Sequence, residues 1–251
     1  MKKTLTLAAL LTSLSNCYSN TVVNPNVTAK SDESRPIKTK INPSDLFLKK
    51  SDKSQTVHFG GSHQTARDNK VVESLLPELK KKGYDYFAVE LETCIQPLID
   101  EYTESKISLS ELYQKFPFNE TDDLSTIAVA HKLGYKIVLF DESPEWASPP
   151  GDTTHSSLGT DRAEKQFANL KEHIFDKDQD AKVVLLSGRS HLDEAPRYYQ
   201  LTGFYDQKAL GLFLEEYTKG KNLSVSLVED EYSQYCDPRG YIKPDLSLSL
   251  R

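Results

Sequence analysis

The sequence predicts an α/β fold: three layers in αβα order, with a mainly parallel central sheet, in a single domain. Three observations predict it. Short apolar runs such as YFAVEL, KIVLF and KVVLL recur with little polar alternation, the pattern of strands buried on both faces. Segments with apolar residues at helical spacing separate them. The order strand, helix, strand, helix implies right-handed crossovers, which place helices on both faces of a parallel sheet.

The elements follow in order. Gln55–Phe59 is the first strand. Ala66–Lys82 is a helix, with Val71, Leu75, Leu76 and Leu79 on one face and Gly83 as its stop. Tyr86–Leu91 is the second strand. A helical region spans Ile95–Phe116 and breaks near Ser105–Ser108. Thr121–Leu133 is a helix closed by Gly134, and Lys136–Phe140 is the third strand. Asp161–Ile174 is a helix with Ala163, Phe167, Leu170 and Ile174 on one face, and Lys182–Leu186 is the fourth strand. Gln207–Tyr217 is helical, and Leu223–Val228 and Leu246–Leu250 supply further strands.

The remainder of the chain sets the context. Of 251 residues, 37% are hydrophobic and 27% charged, an ordinary globular composition. The net charge of −6 and the lack of a basic patch argue against nucleic acid as a partner. Residues 1–17 read as an export signal: Lys2-Lys3 precede an apolar stretch, Thr4–Leu14, too short to span a bilayer. Cleavage after Ser15 implies secretion. Leu14-Ser15-Asn16-Cys17 resembles a lipobox, which implies a periplasmic or outer-membrane lipoprotein anchored through Cys17. Residues 18–40 are polar and read as a flexible linker, with the folded domain over 41–251. Cys94 and Cys236 either pair in an oxidising compartment or stay as buried thiols.

In parallel sheets, ligands bind beyond the carboxyl ends of the strands. Each of the four principal strands ends there in a group able to titrate or bind metal: His63 after the first, Glu90 and Glu92 in the second, Asp141 after the third, and His191 after the fourth. His63 and His191 have matching contexts, FGGSH and LSGRSH. Glu90 is a carboxylate inside an apolar strand and needs a partner to be buried there. Arg162 opens a helix on the same edge, where a cation opposes the helix dipole. This suggests a guanidinium that orients Glu90 or binds a substrate oxyanion. Asp161 and Glu164 could instead offset that charge. Two histidines and a carboxylate (His63, His191, Glu90) could ligate a divalent metal, or act as an acid–base set without one. The loop 142–158, with Trp146 and His155, reads as a lid or a surface excursion. His58, His131 and His173 read as structural or solvated.

Gly60-Gly61-Ser62-His63, Val89-Glu90, the segment around Arg162 and VVLLSGRSH occur in an order that resembles the superfamily of ChaN-type haem-binding lipoproteins, erythromycin-esterase-like proteins and the Tiki/TraB group. The resemblance implies His63, Glu90, Arg162 and His191 as site residues and a hydrolase-like activity on an ester or peptide bond, with a small-molecule or peptide substrate. It also implies an alternative, haem binding in iron uptake, for which Tyr198-Tyr199 could ligate iron. A non-catalytic secreted scaffold or effector is a third reading. One departure stands out: relatives with G-E-x-H carry Glu where this sequence has Gly61, which removes a carboxylate from the first motif.

Overall fold

Two layers of helices enclose one sheet because each buried strand sends alternate side chains to opposite faces. The computed structural model describes residues 43–61, 66–117, 122–142, 160–192, 197–199, 204–227 and 246–247. The predicted signal and linker, the segment 62–65 with His63, most of the predicted lid loop, and Cys236 lie outside the described residues.

The elements in chain order are α1 (Pro43–Ser51), β1 (Thr56–Gly61), α2 (Ala66–Lys81), β2 (Tyr84–Glu92), α3 (Gln96–Thr103), α4 (Leu109–Lys115), α5 (Asp122–Lys132), β3 (Lys136–Asp141), α6 (Thr160–Leu170), β4 (Lys182–Gly188), β5 (Arg197–Tyr199), β6 (Phe204–Gln207), α7 (Leu210–Thr218), β7 (Asn222–Ser226) and β8 (Leu246–Ser247). The main sheet is parallel throughout, in the order β3-β2-β4-β1-β7, with the two-residue β8 at its edge. The fold class read from the sequence is therefore the one observed. Two features went unread. α1 is held by Phe47, which packs on Phe59 at 5.8 Å, and by the Tyr84 hydroxyl, which donates to the Ser51 and Ser54 carbonyls. β5 and β6 form a separate antiparallel pair.

Local chemistry explains the boundaries. Gly83 and Gly134 end helices at φ +84° and +82°, a region that disfavours other residues. The predicted break after α3 coincides with Ser105 at φ 61°, and α4 restarts at a capping box between Ser108 and Glu111.

Each face has its own core. On one, Val57, Phe59, Phe87, Val89, Leu139, Val184 and Leu186 pack against α1 to α5, with Leu76, Leu79, Ile99 and Ile127 among the buried helical residues. On the other, Tyr86, Ala88, Val138, Phe140, Val183 and Leu185 pack against α6 and α7 through Leu170, Leu210 and Leu214. β1 and β4 are neighbours, yet α2 after β1 covers the first face and α7 after β4 covers the second. Adjacent strands whose connections leave to opposite faces create a crevice at their carboxyl ends, the topological switch point of such sheets. There Gly60 pairs with Ser187 and Gly61 with Gly188.

Candidate functional site

The switch-point edge gathers charge onto one carboxylate. Glu90 lies near the end of β2, on the face of Tyr86 and Ala88, and its side chain is only 5% exposed. A bulge between Val89 and Glu92 sets three steps of β2 against two of β3. Bulges of this kind re-aim side chains at the ends of strands. Glu90 Oε1 accepts from Arg162 Nη2 at 2.8 Å and from His191 Nε2 at 2.9 Å. Its Oε2 accepts from the backbone N–H of Gly188 at 2.6 Å. Burial alone would raise the Glu90 pKa. The hydrogen bond and charge of His191, the Gly188 N–H and the Arg162 charge outweigh it and hold the carboxyl at about 2.

Arg162 stands in the first turn of α6 because carboxylates on two strands receive it, and these offset the adverse helix dipole. Asp141, the last residue of β3, takes Nε at 3.0 Å on Oδ1 and Nη2 at 2.6 Å on Oδ2, a bidentate pairing. Asp141 Oδ1 also accepts from Gln166 Nε2 at 2.9 Å and from the Glu142 N–H at 3.0 Å. Burial works to lower the Arg162 pKa, but the Asp141 hydrogen bond and charge, then the Glu90 and Glu142 charges, raise it overall. Neither carboxylate engages Nη1, and the side chain is 31% exposed.

His191 sits in the 3₁₀ turn Arg189–Leu192 that follows β4 and is buried. A Cβ on Gly60 would lie 2.6 Å from Leu192 Cδ1 and 3.0 Å from Arg189 Cα. Glycine there lets the turn close onto β1, which brings His191 back over Glu90. With Nε2 donating to Glu90, Nδ1 is the ring nitrogen turned away from the carboxylate's hydrogen bond.

Three of the four residues expected from the sequence, Glu90, Arg162 and His191, thus share one oxygen, while His63 lies outside the described residues. Among the described residues their hydrogen bonds run to one another, to Asp141 and to Gly188. Asp141 holds Arg162, a role its place at a strand end hinted at without revealing. His58, read as structural, lies beneath the site and meets Ser187 through Nε2 at 2.7 Å. The Gly61 departure has a local cause: a Cβ there would lie 2.5 Å from Asp68 Oδ2, so the carboxylate of a buried α2 residue fills the room.

Of the metal set expected from the sequence, Glu90 and His191 meet, while His63 lies outside the described residues. Among the described residues no three His, Cys, Asp or Glu side chains form a group able to hold one. Both Glu90 oxygens accept hydrogen bonds, and His191 Nε2 bears a proton where a metal would need a lone pair.

No protein-family model matches the chain, and neither does any curated protein. Solved structures do. A structure described as bacterial protein toxins aligns with 74% of this chain at 18% identity and TM-score 0.51. The C-terminal region of Pasteurella multocida toxin, described as having a thiol-protease-like catalytic triad, aligns with 75% of this chain at 16% identity and TM-score 0.51. ChaN of Campylobacter jejuni, described with cofacial haem, aligns with 74% of this chain and 86% of its own at 14% identity and TM-score 0.47. The chain spans 36% and 25% of the two toxin chains. The two toxin likenesses show the fold alone.

Proposed function

We propose that the chain is a hydrolase-like protein that cleaves an ester or peptide bond by general acid–base catalysis at the switch-point edge. The observation that carries this reading is the sharing of Glu90 Oε1 by Arg162 and His191, at 2.8 and 2.9 Å. A carboxylate held ionised on Nε2–H leaves His191 Nδ1 as a base. It takes a proton from water as the water oxygen attacks the substrate carbonyl carbon. Arg162 Nη1 donates to the oxyanion that forms. The intermediate collapses, and His191 returns the proton to the leaving oxygen or nitrogen. Atoms and charge balance without a metal. His63, two residues beyond the end of β1, is proposed as a further site residue.

Export, with or without lipidation of Cys17, belongs to the same proposal: the substrate is met outside the cytoplasm. The test is turnover of nitrophenyl esters and fluorogenic peptides by wild type, His63→Ala, His191→Ala and Arg162→Leu. The reading expects at least about a hundredfold loss in the last two; equal rates in all four sink it. Haem capture, the competing reading from the resemblance, is separated by a haemin titration, in which the absence of a Soret shift removes it.

A further inference from the structure

His58 is an imidazole where an apolar side chain would leave nothing unsatisfied. It lies in the middle of β1, fully buried, between Val57 and Phe59 of the core. Among the described residues its Nδ1 is buried without a hydrogen-bond partner. Buried orphan polar atoms are rare in folded proteins and point to a role other than packing. The Nε2 atom indicates which role.

The Ser187 hydroxyl has a single proton and donates it to the Gly188 carbonyl at 3.1 Å. The 2.7 Å contact between Ser187 Oγ and His58 Nε2 has its direction set by the ring tautomer, and the Nε2–H tautomer matches a Ser187 hydroxyl turned to the Gly188 carbonyl. That assignment leaves Nδ1 as a bare lone pair, which costs less to bury unpaired than an N–H would. Burial first, and then the charge of His191, hold the His58 pKa down at about 3 against the opposing pull of Glu90, so the ring stays neutral. Ser187 leads directly to Gly188, whose N–H donates to Glu90 Oε2 at 2.6 Å. Glycine is the residue with the most backbone freedom. An N–H on a glycine needs an outside constraint if it is to keep its aim.

We infer that His58 is a positioning residue of the site: through Ser187 it sets the Gly188 peptide, so that the Gly188 N–H fixes the carboxylate on which His191 and Arg162 converge. His58 touches no substrate in this scheme and moves no proton. It is a neutral donor whose single hydrogen bond constrains the segment after β4. The inference rests on Glu90 and His191 being the working pair of the site, but its test does not require turnover.

The experiment is amide hydrogen exchange by NMR on the full chain, comparing wild type with His58→Leu, Ser187→Ala and His58→Gln. Gly188 is followed, with Leu186 in the same strand as the internal reference. The expected result is exchange about tenfold faster at Gly188 in His58→Leu and Ser187→Ala, with Leu186 within about threefold of wild type. The Gly188 amide proton also moves upfield as its bond to Glu90 lengthens. His58→Gln keeps a donor toward Ser187 and restores protection. Unchanged exchange at Gly188 overturns the inference, as does a parallel rise at Leu186, which would mark a structural role only. If His58→Leu does not fold, Ser187→Ala decides by the same criteria. Loss of protection without any hydrolysis in the turnover assay would uphold the positioning role and reject the hydrolase reading.

Discussion

His58 offers a stability prediction whose size follows from its environment. The ring is fully buried and its pKa falls from 6.5 to about 3, chiefly because burial disfavours the charged form. In the unfolded chain the same ring protonates at its ordinary value. Between pH 6.5 and 3 the unfolded state thus binds more protons than the native state, and stability must fall as pH falls. Each pH unit in that window is worth about 1.4 kcal/mol, so the contribution amounts to roughly 5 kcal/mol by pH 3 and is flat below it. Between pH 7 and 5, above the ordinary carboxylate range, wild type should lose about 2 kcal/mol from this group alone. His58→Leu removes the titrating ring and keeps an apolar volume in the core. Urea denaturation at pH 7, 6 and 5 measures the difference: the pH dependence of wild type exceeds that of the variant by about 2 kcal/mol over this range. Equal slopes in the two proteins would refute the argument, because a ring that water reaches, or one that stays protonated when folded, gives no such difference.

Other outcomes follow from the same geometry. Gly61→Ala places a Cβ 2.5 Å from Asp68 Oδ2 and should cost about 1–3 kcal/mol; combining it with Asp68→Ala should recover most of the loss in a thermal melt, and additive costs would contradict the steric account. Glu90, held at about 2 against an ordinary 4.5, contributes stability that is present above pH 4.5 and lost as pH falls toward 2; acid titration followed by circular dichroism should show about 3 kcal/mol less of this acid slope in Glu90→Gln. Asp141→Ala removes the bidentate partner of Arg162 and should destabilise by roughly 2 kcal/mol, since the guanidinium keeps partial access to water; urea midpoints within error of wild type would refute the anchoring role. Treatment with EDTA should leave the melting temperature and any turnover unchanged, and one tightly held metal ion per chain in elemental analysis would overturn the acid–base reading of the donor set.

Much of the fold was legible because it rests on local pattern. Continuous apolar runs mark strands covered on both sides, and KIVLF and KVVLL need no partner to be recognised as such. Gly83 and Gly134 end helices for a reason intrinsic to glycine. The helix α1 escaped notice because its hold on the domain is tertiary: Phe47 against Phe59, and the Tyr84 hydroxyl on two carbonyls of a distant segment. The short β5–β6 pair lacks the length that makes a strand visible in one dimension.

The site divides in the same way. Glu90, Arg162 and His191 were identifiable because each breaks a local rule: a carboxylate in an apolar strand, a cation in a first helical turn, a histidine behind a glycine. The sequence by itself determined that such groups reach one edge of a parallel sheet, since strand direction and crossover handedness leave no other arrangement. Only the tertiary structure decided which atoms meet. A bulge in β2, the closure of the 3₁₀ turn on Gly60, and the position of Asp141 depend on contacts between residues far apart in the chain. The same contacts turned His58 from an inert core histidine into a neighbour of the site, and explained Gly61 by the carboxylate of Asp68 beside it. Pattern gives direction along the chain, whereas hydrogen-bond partners are a property of packing.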